Sequence, residues 1–469
     1  MMKLGQVFHW VTASQTFGSG EIDIERVHTD TRSLKAGDLF VALKGETFDA
    51  NSFLEQAKAR GAVAAIAQSG LRVSGLPGLL VHDSRLALGE LAAAWRSQFE
   101  LPLIAVTGSN GKTTVTQMVA SILQAYKGDQ AFSTEGNFNN DIGVPLTLLR
   151  LASTHQIGVV ELGMNHPGEI AYLAKLTNPT VALVNNAQRE HLEFMESVEA
   201  VARENGSVVE SMRQDGVAVF PADDAYTSIW RTMAGVRKTL TFSLDGAADV
   251  TGRAHWVGSG WKVMANTSFG PVEFKLQIAG RHNVKNALAA TACALAAGVP
   301  LVCISSGLSA FMPVKGRSRA TTLHLSGREV TLVDDTYNSN PDSMQAAIDL
   351  LAELPGPRLL VMGDMGEVGA QGPQFHAEAG FYARSKGIES LFTLGEQAAL
   401  ASKSFVAGQH FEDVESLNAA LLSQLKTVGS VLVKGSRFMK MERTIAAINR
   451  YEKDIVIKEL GQKDQSHAA

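Results

Sequence analysis

Five mostly apolar residues, Leu103–Thr107, run into a glycine-rich turn, after which Val115, Met118, Val119, Ile122 and Leu123 recur at the spacing of one helix face. This predicts strand, loop, helix. Apolar runs at 157–162 and 180–184 end in polar clusters and are separated by helical patterns, so they add parallel strands with ligands expected at their carboxyl ends.

The pattern differs on either side of this unit. Residues 27–67 mix short strands and turns, and 83–99 read as an amphipathic connecting helix carrying Leu86, Leu88, Leu91 and Trp95. After Asp249 the pattern is hairpin-like through Trp256, Trp261, Val263 and Phe274, followed by a helix at 283–297 and a Pro/Gly/Arg segment at 313–319. Beyond it, strands at 330–334, 358–362, 391–394 and 431–433 alternate with helices and make a second doubly wound sheet without a second phosphate loop. The expected α/β architecture has a small mixed domain at 1–82 with its connecting helix at 83–100, a central domain at 101–316, a Rossmann-like domain at 317–460 and a loose polar tail at 461–469. A chain of 469 residues at about 150 per domain agrees with three units.

Composition narrows the functional classes. Hydrophobic residues make up 45% and charged residues 19%, which is globular composition. A net charge of -5 supplies no basic field for nucleic acid or an anionic membrane, so anions must be bound locally. Cys293 and Cys303 sit in an apolar stretch and read as buried small hydrophobes, not a disulfide or metal pair. The first ten residues lack a cleavable apolar core and no run of 18 apolar residues occurs. The expectation is a soluble cytoplasmic protein without membrane insertion.

The chemistry starts at Gly108, Ser109, Asn110, Gly111, Lys112, Thr113 and Thr114. Amides of such a loop and the helix start behind it cradle phosphates, the lysine reaches the β and γ oxygens, and Thr113 offers a hydroxyl to Mg²⁺. The loop is a variant, since GxxxxGK[ST] needs glycine at position 106 and Val106 stands there. A nucleotide site alone leaves a ligase, a phosphotransferase and a nucleotide switch open. No Asn/Thr-Lys-x-Asp guanine-reading element follows Lys112, which lowers the switch. Glu161 ends a strand where a carboxylate can hold Mg²⁺ opposite Thr113, and His191 follows the next strand at the same edge. Either also reads as an ordinary solvated group.

The elements Gly136-Asn137-Phe138-Asn139-Asn140-Asp141, Glu161-Leu162-Gly163-Met164-Asn165, Gly280-Arg281-His282-Asn283, Asp334-Asp335-Thr336-Tyr337-Asn338-Ser339-Asn340-Pro341, Gly363-Asp364-Met365-Gly366-Glu367 and Val433-Lys434-Gly435-Ser436-Arg437 occur along the chain. With them, the sequence resembles the Mur ligase family over nearly its whole length. Within that family it is similar to the branch that adds D-alanyl-D-alanine to UDP-N-acetylmuramoyl tripeptide. The sibling that adds the third residue carries an Asp-Asn-Pro-Arg, which is absent here. A folylpolyglutamate synthetase is a further alternative within the family, and a P-loop phosphotransferase one outside it.

The resemblance implies ATP- and Mg²⁺-dependent acyl transfer through an acyl phosphate and a tetrahedral intermediate, with small-molecule substrates and a monomeric enzyme of peptidoglycan synthesis. Lys112, Glu161 and His191 would be catalytic, with Thr113, Glu161 and His191 at the metal. Asn283, Arg317 and Asp335 would complete the ATP site. Asp30, Thr31, Arg32, Ser33, Lys44 and Gly45 would hold the UDP-sugar; by residues alone, Asp30–Ser33 also reads as an Asx turn. Asn283 likewise reads as a helix cap and Asp335 as a strand-end turn. Asn139, Asn140, Asn338, Asn340, Lys434, Ser436 and Arg437 are candidates for the peptide and dipeptide. One position departs from the family: many members carry a carbamylated lysine in Ala-Arg-x-Lys-Gly, and here the matching residue is Asn205. Asparagine forms no carbamate, which makes Glu204 the neighbouring acid to test as a metal support.

Overall fold

The computed structural model describes residues 1–257 and 260–467. Three sheets of five or more strands follow one another along the chain. In the first, the strand order is Gln15–Phe17, Gly78–Leu80, Ala64–Ala67, Asp38–Val41, Arg26–His28. Only the outer pair Gln15–Phe17 and Gly78–Leu80 is antiparallel. Ala64–Ala67 is buried along its whole length, as a strand covered on both faces must be. This parallel core was read in the sequence only as a mixture of short strands and turns.

The connecting helix is Ser84–Arg96, capped by Asp83, whose Oδ1 accepts from the amides of Arg85 and Leu86. Leu88 and Leu91 face inward, while Leu86 is 56% exposed. At about 100° per residue Leu86 lies on the opposite side from Leu88, so it does not belong to the buried stripe.

The central sheet has nine strands, with Leu103–Thr107 flanked in parallel by Ile157–Glu161 and Val181–Val184. All three strands are fully buried. Behind the loop, helix Lys112–Lys127 packs against helices Arg281–Ala296 and Leu301–Ala310. The hairpin signal is an antiparallel extension, Val250–Val257, Gly260–Thr267 and Gly270–Leu276. Two parallel strands missed in the sequence, Val217–Pro221 and Lys238–Ser243, connect it to the rest.

The third sheet runs Arg319–Leu325, Arg328–Asp335, Ser430–Lys434, Arg358–Gly363, Ser390–Leu394, Gln409–Phe411. The strand latest in sequence thus lies between the second and third of this sheet. Its parallel register sets Lys434 opposite Asp335 at the carboxyl ends. The tail expected to be loose at 461–469 belongs to helix Glu442–His467 as far as the description reaches; residues 468 and 469 lie outside the described residues. Once a helix is started by docked residues, each further residue adds one backbone bond, and Glu, Lys and Gln propagate it well. Among the described residues no helix is long and apolar enough to cross a membrane.

Candidate active site

Gly111 sets the course of the phosphate loop. It is left-handed at φ +82°, and a Cβ there would stand 2.7 Å from both Asn185 Nδ2 and Asn286 Oδ1. Only glycine fits. The turn is fastened from behind: Gly108 N donates to Asn205 Oδ1 (2.8 Å), Ser109 N to Asn186 O (3.1 Å) and Asn110 N to Asn186 Oδ1 (2.8 Å). The amides of Lys112, Thr113 and Thr114 form the first turn of the following helix, where no intrahelical acceptor exists, and they remain available to an anion.

A relay of carboxamides supports this turn. Asn283 Nδ2 donates to Ala279 O (2.7 Å), Asn286 Nδ2 to Asn283 Oδ1 (3.0 Å), and Asn185 Nδ2 to Asn286 Oδ1 (2.9 Å) and Asn110 O (2.8 Å). Asn283 therefore lies inside its helix and is buried, tying the helix to the loop ahead of it. It is not the residue that caps the helix.

Glu161 is buried at the end of its strand, accepting from Thr113 Oγ1 (3.1 Å) and Asn139 Nδ2 (2.7 Å). A carboxylate and a hydroxyl beside a phosphate-binding turn are the hard oxygen donors that suit Mg²⁺. The residues present fit the ion. His191 lines the same cavity, with its Nδ1 2.8 Å from Glu367 Oε2 in the third domain and its Nε2 3.9 Å from Glu190 Oε2. His191 and burial act on Glu367 in opposite senses, and the imidazole prevails, holding that carboxyl below its ordinary value. Lys112 Nζ donates to Gly108 O (2.6 Å), Ser109 O (3.2 Å) and Glu190 Oε2 (3.2 Å).

From the opposite side, Asp335 accepts from Lys434 Nζ (2.6 Å) and from Ser318 N (2.9 Å). Burial alone would raise the Asp335 carboxyl, but Lys434 and the Ser318 amide outweigh it and hold it below the usual carboxylate range. Lys434 also donates to Asn338 O (2.9 Å) and is almost fully buried. It acts as a strut, against the expectation of a dipeptide-carboxylate contact. Ser436 is similarly occupied, donating to Ser339 O and accepting from Gly366 N. Arg317 and Arg437 lie over the Tyr337 ring, 4.1 and 5.6 Å from its centroid. Asn340 caps helix Pro341–Ala352 and donates to Asn110 Oδ1 (3.0 Å) across the cleft. Asn140 Oδ1 accepts from Gly143 N (2.8 Å) at the start of helix Gly143–Leu148.

The phosphate loop, Glu161, His191, Asn283, Arg317, Asp335 and 337–340 border one cavity of about 810 Å³. The six N-terminal candidates do not join it. Asp30 accepts from Arg32 N in the Asx turn and Arg32 folds back on Asp30, while Lys44 pairs with Asp49. Sequence reasoning missed Gln188, Arg189, Glu190 and Asp342 as part of the cavity wall. Two charged residues, Arg189 and Glu190, shortly after the buried strand Val181–Val184 were the available signal.

Three family models cover this architecture in order: the Mur ligase family catalytic domain over residues 23–96, the Mur ligase middle domain over 106–294 and the Mur ligase glutamate ligase domain over 318–437. A UDP-N-acetylmuramoyl-tripeptide--D-alanyl-D-alanine ligase of Escherichia coli is 42% identical, covering 91% of this chain and 94% of its own. The chain belongs to the Mur ligase family. The corresponding ligase of Haemophilus influenzae is 39% identical over 96% of this chain and 99% of its own. A crystal structure of MurF from Acinetobacter baumannii superposes with TM-score 0.88 at 35% identity, covering 95% and 98% of the two chains. A MurF ligase from Thermotoga maritima in complex with ADP superposes with TM-score 0.81 at 27% identity, covering 92% and 98%.

The region around position 205, where the resemblance implied a lysine, is occupied by local structure. Asn205 is buried, braces Gly108 and donates to Val201 O (3.2 Å). Glu204 accepts from Gly168 N (2.9 Å) and Ile170 N (2.8 Å), so it caps helix Glu169–Thr177 and lies outside the cavity. The geometry thus removes Glu204 as a stand-in for the carbamylated lysine.

Proposed function

We propose that this Mur ligase joins D-alanyl-D-alanine to UDP-N-acetylmuramoyl tripeptide, cleaving ATP to ADP and phosphate. One observation carries the reading. Gly111–Thr114, from the central sheet, and Tyr337–Asn340, from the third, line the same cavity, so a nucleotide and an incoming amine are brought together between two sheets.

In this reading the amides of Lys112, Thr113 and Thr114 bind the β- and γ-phosphates, and the Lys112 ammonium follows the charge of the transferring phosphoryl group. Thr113 and Glu161 hold Mg²⁺, which when bound supplies charge neutralisation for phosphoryl transfer. The tripeptide carboxylate attacks the γ-phosphorus to give an acyl phosphate and ADP. The dipeptide amine then attacks the acyl carbon, and the tetrahedral intermediate expels phosphate. Asn283, Arg317 and Asp335 serve the nucleotide from either side of the cleft. His191, paired with Glu367, supports the closed arrangement that excludes water.

Residues 1–82 are assigned to the UDP-sugar, 101–316 to ATP and 317–460 to the dipeptide, in a monomeric cytoplasmic enzyme. Among the dipeptide candidates, Asn338 and Arg437 remain those facing the cavity whose side chains are not tied up as struts or caps. An ATP-consumption assay with the muramoyl tripeptide tests the function. Phosphate release must depend on D-alanyl-D-alanine; release with no such dependence, or a stable phosphorylated product in place of a species trapped by hydroxylamine, overturns it.

A further inference from the structure

Glu190 is an acid of the cavity that neither the motifs nor the helix caps account for. Only 6% of it is exposed, and it borders the cavity that holds the phosphate loop. Its Oε2 takes one hydrogen bond from Lys112 Nζ (3.2 Å) and stands 3.9 Å from His191 Nε2. Its Oε1 is buried and has no hydrogen-bond partner among the described residues. Of the acids nearest the loop, Glu161 accepts from Thr113 and Asn139, and Glu204 is spent on a helix start.

Charge conservation then constrains what happens on loading. With the site empty, Lys112 is the cation of Glu190. When phosphates arrive, the Lys112 ammonium turns to them, and a buried carboxylate is left without a counter-charge, an arrangement proteins strongly disfavour. The partner that arrives together with the phosphates is a divalent cation. Mg²⁺ takes one or two carboxylates and fills its remaining positions with phosphate oxygens and water, which matches a wall offering Glu161 and one free carboxylate oxygen.

We propose that Glu190 exchanges Lys112 for Mg²⁺ when nucleotide binds, and that it is the acidic metal support in a chain whose lysine position holds Asn205. This rests on the phosphate loop being the ATP site. By thermodynamic reciprocity, nucleotide and Mg²⁺ must strengthen one another through Glu190.

The experiment is calorimetric titration of the full chain with ADP, with and without Mg²⁺, for the native protein and Glu190→Gln. In the native protein, Mg²⁺ should tighten ADP by about tenfold or more. In Glu190→Gln, whose lysine is already released, Mg²⁺-free ADP should bind more tightly than to the native chain, and added Mg²⁺ should improve it less than about twofold. A variant that keeps the native Mg²⁺ gain overturns the inference. A native chain that binds no ADP overturns the nucleotide reading itself, and the inference with it.

Because an amide inside a buried site can destabilise the fold, Lys112→Met gives a second test, with folding followed by circular dichroism. Removing the competing ammonium should tighten Mn²⁺ binding to the nucleotide-free chain, read by electron paramagnetic resonance, and Lys112→Met with Glu190→Gln should abolish that gain. Unchanged or weaker Mn²⁺ binding in Lys112→Met also overturns the proposal.

Discussion

Arg189, on the central domain, grips Asp342 of the third domain with both ends of its guanidinium, Nε to Oδ2 at 3.1 Å and Nη2 to Oδ1 at 2.9 Å, while its own amide donates to Oδ2 at 2.7 Å. Its guanidinium also lies 5.2 Å from the centre of the Phe375 ring. A fork-to-fork pair fixes direction as well as distance. It holds the two walls of the cavity together.

Arg189→Ala should therefore weaken closure without touching the phosphate loop. Losing charge-assisted bonds of this kind costs about 2 kcal/mol, roughly 30-fold. The expected outcome is a lower kcat/KM for ATP and a larger radius of gyration by small-angle scattering in the presence of nucleotide. An unchanged radius would remove the pair from closure.

Lys112→Ala should reduce dipeptide-dependent phosphate release by about 100-fold or more, the scale found for single preorganised charge stabilisers, and should lower thermal stability, since Glu190 stays buried without its cation. Near-native turnover would exclude Lys112 from the chemistry.

Asn205→Ala takes the acceptor from Gly108 N and leaves a buried donor unpaired, at about 1–3 kcal/mol. Nucleotide affinity should fall with stability, since the loop loses its brace. Glu204→Ala removes a helix cap, costing about 1 kcal/mol of stability, and should leave Mg²⁺ affinity alone. Melting curves and metal titrations together separate the two neighbours.

The Asp335–Lys434 pair makes a prediction for pH. The folded-state pKa of Asp335 lies below its ordinary value, so the stability it contributes is present above that ordinary value and is lost as pH falls through the depressed one. Acid unfolding of Asp335→Asn, followed from pH 5 to pH 2, should show a shallower loss of stability than the native chain. Parallel curves would mean that the pair does not contribute.

The sheets that carry the phosphate loop and the last third of the chain were legible because buried parallel strands are short apolar runs bounded by turns. Lys112, Thr113 and Glu161 were legible for a related reason: Glu161 ends such a run, and Lys112 and Thr113 open the helix behind the glycine loop that follows another. What the pattern hid was partnership. Lys434 and Asp335 are 99 positions apart and meet only because the last strand inserts beside Arg328–Asp335. Asn340 caps its own helix, which local spacing encodes, whereas Ser436 meets Ser339 and Gly366 only through the fold. His191 reaches Glu367 through its Nδ1, a contact no local spacing encodes. Asp30–Ser33 folded as the turn its composition also allowed.

The relay through Asn283, Asn286, Asn185 and Asn110 has a consequence for selectivity between full and empty states. Asn283 and Asn286 each give and take a hydrogen bond and Asn185 gives two, and a neutral carboxamide can change partner without altering the electrical balance of its surroundings. A scaffold of fixed cations would repel itself when vacant and demand counter-ions from solvent. Neutral amides let the cradle keep one shape through repeated cycles of filling and discharge, leaving the few true charges to mark which stage the cycle has reached.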